Sequence, residues 1–375
     1  MTEYKFPSTF ESSRERFRSH LGEIQKRWPP ACLDARSVFS GEDLTIDWIS
    51  TPPLGNRERL LVVTAGEHGI EGYVGSTMLE LIMGEIIPKL NPANTGLLLV
   101  HCINPWGMKH RRRVNCNNVD LNRNYLLDPE GFHQTGQNPG YERLFDILNP
   151  AAAVGRTALA KLRITAGVLK AALQMSSRKF TEAVLLGQYR FPKGIYFGGS
   201  RHEPETALML QLYREAFTGY RQIVHLDLHT GFGPRDEMSI VNSVKEPRSP
   251  EVLSRTFQYP RLVRTNPEEF YAIQGDMIDA VYDLIHREFQ PERFYATTFE
   301  FGTYGSSFPA MLRSLQTMIL ENQQFWNGVL TPDQARSIRR DFIELYAPAD
   351  PAWLQKALQD TRHAVNGILK AEEYW

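Results

Sequence analysis

Short runs of apolar residues along the chain predict the strands of a buried sheet. The run Arg59–Thr64 (RLLVVT) is apolar through its centre, as is typical of a strand covered on both faces. The runs Leu97–Ile103 (LLLVHCI) and Ile223–Leu228 (IVHLDL) have the same character. Asp43–Ile49 alternates apolar and polar residues, which also predicts a strand. Two further runs complete the set of predicted strands: Ser239–Val244 and Thr297–Phe301.

Apolar residues at helical spacing recur between these runs. Phe10, Phe17, Leu21 and Ile24 share such a pattern and predict a helix within residues 8–28. A tight turn after the Arg59–Thr64 run is followed by a predicted helix over residues 72–90. The remaining helical patterns lie in an Ala/Leu/Lys-rich tract at 150–187 and at 276–289, 309–327 and 351–371.

Strands that alternate with helices predict an α/β sheet with helices on both faces. In such sheets, ligands bind beyond the carboxyl ends of the strands. His68, Asn104 and His229 follow or end three of the predicted strands. The sequence therefore predicts a functional site at this edge of the sheet.

His68 and Glu71 form an HxxE pair at the start of a predicted helix. Residues three apart share a helix face, so an imidazole and a carboxylate can meet one metal ion there. His229 is the natural third ligand, although Asp227 or His225 could serve instead, and Asp227 could also orient a ligand. Three protein ligands leave a position for water, as is typical of a catalytic rather than a structural zinc site.

Composition and charge narrow the class of protein. The chain has 375 residues, of which 42% are hydrophobic and 23% charged, with a formal net charge of −1. These values predict neither nucleic-acid binding nor attraction to an acidic membrane surface. We see no signal peptide and no apolar stretch long enough for a membrane span, and the three cysteines form no CxxC pair. The cytoplasm is the expected location.

A longer string of motifs gives the HxxE pair its context. Asn104-Pro105-Trp106-Gly107 is followed by Arg113, by Asp120-Leu121-Asn122-Arg123-Asn124, by His229 and by Phe299-Glu300-Phe301-Gly302. In this order the string resembles the zinc carboxypeptidase superfamily, the M14-like metallopeptidases, over residues 65–305. The region His110–Asn124, together with Asp227-Leu228-His229-Thr230-Gly231, also resembles a bacterial M14-like group called DUF2817.

The resemblance implies a fold and a set of roles. The fold would be a three-layer αβα domain over residues 1–375, with a central mixed, mostly parallel sheet. His68, Glu71 and His229 would bind one Zn²⁺ per chain, and Glu300 would be the general base. Arg113 would stabilise the oxyanion, which a fixed positive charge favours in the transition state. The residues implied in substrate binding are Asn122, Arg123 and Tyr271, with Arg112 as a further candidate from the run Arg111–Arg113.

Two features depart from the carboxypeptidase pattern. A helical insertion at about 130–200 could form a lid, a pocket wall or the surface of a homo-oligomer. The Asp227–Gly231 motif (DLHTG) is similar to that of the deacylase branch, the relatives of aspartoacylase and succinylglutamate desuccinylase. Side-chain specificity stays open at this point, because either Asp276 or Met277 would lie at the base of the pocket. Asp276 would favour a basic group and Met277 an apolar one.

Three functions therefore remain as hypotheses. A metallocarboxypeptidase would cleave an amide bond next to the free carboxylate of a short peptide. A deacylase would act on N-acyl amino acids, which also end in a carboxylate. A binding module without activity is the third, and metal analysis separates it from the other two.

Overall fold

A computed structural model of the chain describes residues 3–128, 130–134, 138–265 and 273–375. Within these ranges the strands form one eight-stranded sheet. In chain order the strands are β1 (Cys32–Phe39), β2 (Leu44–Thr51), β3 (Arg59–Ala65), β4 (Thr95–Val100), β5 (Gln222–Thr230), β6 (Met238–Asn242), β7 (Leu262–Arg264) and β8 (Arg293–Phe301).

Helices cover both faces of this sheet. Among the described residues, no helix is both long and apolar enough to cross a membrane. The helices are α1 (Phe10–Ser19), α2 (Leu21–Gln25), α3 (Gly72–Leu81), α4 (Pro105–His110), α5 (Gly131–Gln134), α6 (Pro139–Leu148), α7 (Thr157–Gln174), α8 (Ser177–Leu185), α9 (Pro204–Phe217), α10 (Pro250–Phe257), α11 (Met277–Glu288), α12 (Phe308–Asn327), α13 (Pro332–Tyr346) and α14 (Pro351–Ala371).

The order of strands across the sheet is β1-β2-β4-β3-β5-β8-β6-β7. Neighbours are parallel in the pairs β4/β3, β3/β5, β5/β8 and β6/β7, and antiparallel in the other three. The predicted mixed, mostly parallel sheet is therefore confirmed. The parallel strands β3, β5 and β8 lie side by side at the centre, so their carboxyl ends meet at one edge.

Both faces of the sheet are covered, which explains the continuously apolar runs. Leu61 and Val63 of β3 pack into a core shared with α3, α12 and α14, whereas Leu60 and Val62 pack into a second core with α9 and α11. Successive side chains of a strand point to opposite faces, so a strand between two helical layers needs apolar residues throughout. The three-layer αβα arrangement is confirmed.

Some predicted elements differ in length from the observed ones. The helix predicted over 72–90 ends as α3 at Leu81 and continues as a π turn, Ile82–Ile86, and a 3-10 turn, Ile87–Lys89. Pro88 lacks a backbone N–H and clashes with the preceding turn, so a regular α-helix cannot run through it. Strands β1 and β7 lie at the two edges of the sheet and were not predicted.

The described part of the insertion contains α5, α6, α7 and α8. The tract predicted as helical over 150–187 is broken into α7 and α8, because Ser176 adopts an extended conformation and caps α8 by accepting from the Lys179 N–H. Helix α7 packs on α12, and its Lys161 also pairs with Asp341 of α13 at 2.8 Å. The amide of Gln316 donates to the Lys161 carbonyl at 3.0 Å. The insertion is thus attached to a helix of the main fold.

The loop between α4 and Asn124 is fixed by a buried polar cluster at the start of α9. Asn115 donates from Nδ2 to Glu203 at 2.8 Å, and Asn117 donates to the same carboxylate. Glu205 lies beside them, and its carboxyl is reached by Asn115 at 3.4 Å. Burial, with the nearby charge of Glu203, raises the pKa of Glu205 to about 7.

This raised pKa predicts a pH-dependent stability that Glu205→Gln should remove. In the unfolded chain Glu205 loses its proton near its usual pKa, while the folded protein keeps the proton until about pH 7. The folded state therefore binds more protons between about pH 4.5 and 7, and the free energy of unfolding falls as pH rises through that window. The expected fall is about 3 kcal/mol. Urea unfolding of both proteins at pH 5 and pH 8 measures it. An identical pH dependence in the two proteins would contradict the prediction.

Candidate metal and catalytic site

The candidate site lies at the carboxyl ends of β3, β5 and β8. His68 follows β3, while His229 and Glu300 lie in the last two residues of β5 and β8. His229 and Glu300 are direct Cα partners in the parallel register of these strands. Partners in such a register point to the same side of the sheet. The fold thus brings the third predicted ligand beside the predicted general base.

We predicted that His68 and Glu71 share one face of an α-helix, but the two residues meet through a turn. His68 is extended (φ −92°, ψ 118°), and Glu71 ends a 3-10 turn that precedes α3. Gly69 of this turn lies so close to α4 that an added Cβ would stand 2.1 Å from the carbonyl carbon of Gly107. The Gly69 N–H donates to the Arg113 carbonyl at 3.1 Å, which holds Arg113 next to the turn.

The three predicted ligands converge on one point. Oε1 of Glu71 lies 2.9 Å from Nδ1 of His68, and Oε2 lies 3.2 Å from Nδ1 of His229. Two ligand atoms of one tetrahedral zinc ion stand about 3.4 Å apart, given metal–ligand distances of about 2.1 Å. Nδ1 of His68 is buried and makes no hydrogen bond despite this proximity. The donor set and its spacing therefore fit a zinc ion.

Two aspartates orient the histidine rings from behind. Oδ1 of Asp120 lies 2.9 Å from Nε2 of His68, and Asp227 contacts Nε2 of His229. A ring that donates its Nε2–H to a carboxylate keeps the lone pair of Nδ1 free for a metal. Asp227 was weighed for this role from the sequence, but Asp120 was not. The sequence signal that could have identified Asp120 was its place at the start of the DLNRN string, three residues before Arg123.

Glu67 offers a second grouping of ligand atoms. One ligand atom each from Glu67, His68 and His229 lie within 4.8 Å of one another. However, Oε2 of Glu67 is 3.3 Å from Nε2 of His229, on the ring edge that Asp227 already contacts. Glu67 also does not line the cavity that reaches His68, Glu71 and His229. Glu71 therefore stays the candidate ligand, and Glu67, a residue that the sequence reasoning missed, lies behind the site.

The pKa values of Glu71 and Glu300, two carboxyl groups of the candidate site, are shifted in opposite directions. Burial alone would raise the pKa of Glu71, but the adjacent His68 and His229 hold it well below its usual range. Glu71 is therefore ionised, which is the state that binding a metal ion requires. Burial and the negative charge of Glu71 raise the pKa of Glu300 to about 7. A carboxylate with a pKa near neutrality is suited to accept and return a proton.

Arg113 places a fixed positive charge in the same cavity. Its Nη1 lies 3.0 Å from Oε1 of Glu71, and its Nε lies 3.2 Å from Oδ2 of Asp120. Tyr196 and Tyr346 also line the cavity at this point. A guanidinium held by two carboxylates is well placed to face a developing oxyanion.

The residues predicted to bind substrate are separated by the fold. Asn122 lines the cavity, and its Oδ1 accepts from the Met277 N–H at 2.9 Å. Arg123 lies behind the cavity wall with 1% of its surface exposed. Its two terminal nitrogens donate to Asp120 and to the Leu185 carbonyl, each at 2.7 Å. Gly187 (φ +96°) packs so closely on Arg123 that an added Cβ would lie 2.5 Å from its Cδ.

Three further residues were candidates for substrate binding or specificity: Arg112, Tyr271 and Asp276. Arg112 points away from the cavity, pairs with Glu321 at 2.7 Å and stacks 3.7 Å from the centroid of the Phe325 ring. Tyr271 lies outside the described residues. Asp276 lines the cavity, and burial raises its pKa to about 7.

The structure also shows where Met277 and His225, the alternatives that the sequence left open, are located. Met277 lies in the core, where the hydroxyl of Tyr213 contacts its sulfur, and it does not line the cavity. His225 faces Thr64 at 2.9 Å between β3 and β5 and does not line the cavity either. Of the two pocket-base candidates, Asp276 is the one in the cavity.

The cavity has a volume of about 670 Å³, and its lining residues come from two sets of elements on either side of the candidate metal site. One end, the polar end, is lined by Asn122, Ser243, Thr265, Asp276 and Thr298, together with Val241, Ile273 and Ile278. The other end is apolar. The insertion contributes the apolar residues Val168, Ala172, Phe180, Val184 and Leu185 to it, together with Arg178 and Thr181. Helix α12 contributes Phe308, Met311, Leu312, Leu315 and Met318, together with Ser314.

The family described as "Protein of unknown function (DUF2817)" matches residues 6–360. The chain therefore belongs to the DUF2817 family, as the sequence motifs predicted. No curated protein matches the chain.

Several solved structures have a similar course of the backbone. Carboxypeptidase A from Helicoverpa armigera is 13% identical, over 92% of this chain and 76% of that one, with a TM-score of 0.47. Bovine thrombin-activatable fibrinolysis inhibitor is 13% identical, over 85% and 96%, with a TM-score of 0.45. Murein-tripeptide amidase from Escherichia coli O157 is 18% identical, over 81% and 95%, with a TM-score of 0.36. At identities this low, function is inferred from the site's own residues.

Proposed function

We propose that this chain is a zinc-dependent hydrolase of amide bonds, with His68, Glu71 and His229 holding one zinc ion. The observation that carries the proposal is the position of Glu71, whose two oxygens face the Nδ1 atoms of both histidines. The outer carboxylates of Asp120 and Asp227 fix the rings in the matching orientation.

The other residues have roles that follow from their positions. A zinc ion bound here would activate a water molecule and polarise the substrate carbonyl. Glu300 would accept a proton from the attacking water and return it to the leaving nitrogen. Arg113 would stabilise the negative charge that develops on the carbonyl oxygen. Each of these side chains lines the same cavity.

The first candidate substrate is a short peptide with a free terminal carboxylate. It is supported by Asn122 in the cavity wall and by the positive charges of Arg113 and Arg123 near it. Arg123 would act through the wall, because its guanidinium is already bound by Asp120 and by the Leu185 carbonyl.

A comparison of free and amidated peptides tests this candidate. We expect peptides with a free carboxylate to be cleaved about tenfold faster or more, since one charge-assisted hydrogen bond contributes about 1.5 kcal/mol or more. Asn122→Ala should reduce the preference, while Asn117→Ala should leave it unchanged, because Asn117 is exposed and bonded to Glu203. Equal cleavage of both peptides would exclude recognition of a terminal carboxylate.

The second candidate is a deacylase of N-acyl amino acids, and the apolar end of the cavity favours it. A peptide acyl group presents further backbone polar groups, which lose their hydrogen bonds in an apolar wall. A hydrocarbon chain presents none. Turnover of a panel of N-acyl amino acids, beside the peptides above, separates the two candidates.

A further inference from the structure

The apolar end of the cavity is built by two separate parts of the chain. Val168 and Ala172 come from α7 of the insertion, and Leu312 and Leu315 face them from α12. The two helices are held together outside the cavity by Gln316 of α12, whose amide donates to the Lys161 carbonyl of α7 at 3.0 Å. The walls therefore do not depend on substrate to bring them together.

The mouth of this end is also apolar. Phe308 and Met311 line the cavity and are 51% and 44% exposed. Large exposed apolar side chains at the entrance of an apolar cavity are typical of a ligand-binding groove. The charged lining residue here, Arg178, lies at the rim and pairs with Glu182 at 2.9 Å.

We propose that this apolar end binds the hydrocarbon chain of a long-chain N-acyl substrate, with about eight carbon atoms or more. The inference rests on the proposed amide hydrolysis and names the substrate class of the same site. An acetyl or succinyl group would leave most of the apolar wall unoccupied or would bring a charge against it. A long hydrocarbon chain matches this mainly apolar wall, in which Thr181 and Ser314 are polar members beside Arg178.

The two ends of the cavity then take the two halves of the amide. The acyl chain lies between the insertion and α12, and the amine half lies at the polar end beside Asn122 and Asp276. Water adds to the carbonyl carbon and the C–N bond breaks. Glu300 carries the proton of the water to the nitrogen, so the products are a long-chain carboxylic acid and a free amine.

A series of substrates with one amino acid and acetyl, octanoyl or dodecanoyl chains tests this proposal. Each buried methylene contributes about 0.8 kcal/mol, or roughly fourfold in kcat/KM. We expect kcat/KM of the zinc-loaded protein to rise by about 100-fold or more from acetyl to dodecanoyl. Equal values across the series would overturn the acyl-chain proposal and leave amide hydrolysis intact. Cleavage of apolar peptides as fast as the dodecanoyl substrate would assign this end to peptides instead.

Single substitutions in the wall locate the chain. Ala172→Trp fills the cavity from an exposed position of α7, and Met311→Trp fills it from the opposite side. Each should lower the dodecanoyl-to-acetyl ratio of kcat/KM by about tenfold or more. Gln174→Trp is the matched control, because Gln174 is exposed on the same helix and does not line the cavity. An unchanged ratio in both wall variants would overturn the proposal.

Binding of the product acid gives a readout that needs no turnover. Calorimetry should show that dodecanoate binds the intact protein at least about 100-fold more tightly than acetate, and that Ala172→Trp removes most of this difference. If dodecanoate binds in this way but no amide is cleaved, the chain-binding site stands and the hydrolytic function fails. If neither acid binds, the chain-binding site fails whatever the activity.

Discussion

Glu300→Gln should keep its metal and lose hydrolytic activity by about 10²–10⁴-fold. The side chain lines the cavity at the end of β8, and its Oε1 accepts from the Phe232 N–H at 2.9 Å. Glutamine keeps the shape and can keep this hydrogen bond, but it cannot accept a proton. The expected loss is therefore in kcat, with KM changed much less. Steady-state kinetics on protein of measured zinc content gives both values.

Glu205→Gln is the matched control for this variant. Glu205 is also buried, and the pKa of its carboxyl is also raised to about 7, but it lies outside the cavity. Its loss should leave kcat within about twofold, since it removes the same charge without touching the site. If Glu300→Gln retained full turnover, the general-base assignment would be wrong.

The sequence predicted those parts of the fold that depend on local pattern. The Arg59–Thr64 and Ile223–Leu228 runs became central strands, because a strand buried on both faces is mainly apolar. The buried polar residues of the second run, His225 and Asp227, both contact the hydroxyl of Thr64. Helix α14 was predicted to the residue, since its pattern starts at Pro351 and follows one period. The edge strand β1 was missed because most of its residues are exposed and show no apolar run.

The sequence predicted which residues form the candidate site, but it did not predict which residues contact and orient them. The order of motifs pointed to His68, Glu71 and His229, and the structure brings these three together. Spacing could not show that Asp120 contacts His68, Arg113 and Arg123 at once. That arrangement depends on tertiary contacts between distant parts of the chain.

The environment of Arg123 could likewise not be predicted from the sequence motif. Its motif implied contact with a substrate carboxylate, yet the insertion places the Leu185 carbonyl and Gly187 against its side chain. A motif gives the residue type, whereas a distant insertion decides whether solvent reaches it. The apolar end of the cavity likewise arises only where α7 meets α12.

His68→Ala should lose the metal and, with it, essentially all activity. The imidazole supplies one of three protein ligands, and two ligands hold zinc far less tightly than three. The substitution also leaves Asp120 without its partner, but Asp120 keeps the cations of Arg113 and Arg123. We therefore expect the variant to fold, which far-ultraviolet circular dichroism and gel filtration would check.

His225→Gln is the matched control for the loss of a buried histidine. His225 lies in β5, four residues before His229, but its ring faces Thr64 and burial lowers its pKa to about 4. It was an alternative ligand on sequence grounds, so the variant also decides between the two histidines. We expect His225→Gln to keep its zinc. Loss of metal in this variant would move the third ligand from His229 to His225.

The central claim is that His68, Glu71 and His229 form a zinc site, and metal content tests it most directly. Each protein would be loaded with zinc, passed through a desalting column and analysed by inductively coupled plasma mass spectrometry. The wild type, Glu300→Gln and His225→Gln should each hold about one zinc ion per chain, and His68→Ala should hold almost none. A wild-type protein with less than about 0.2 zinc ions per chain would contradict the claim.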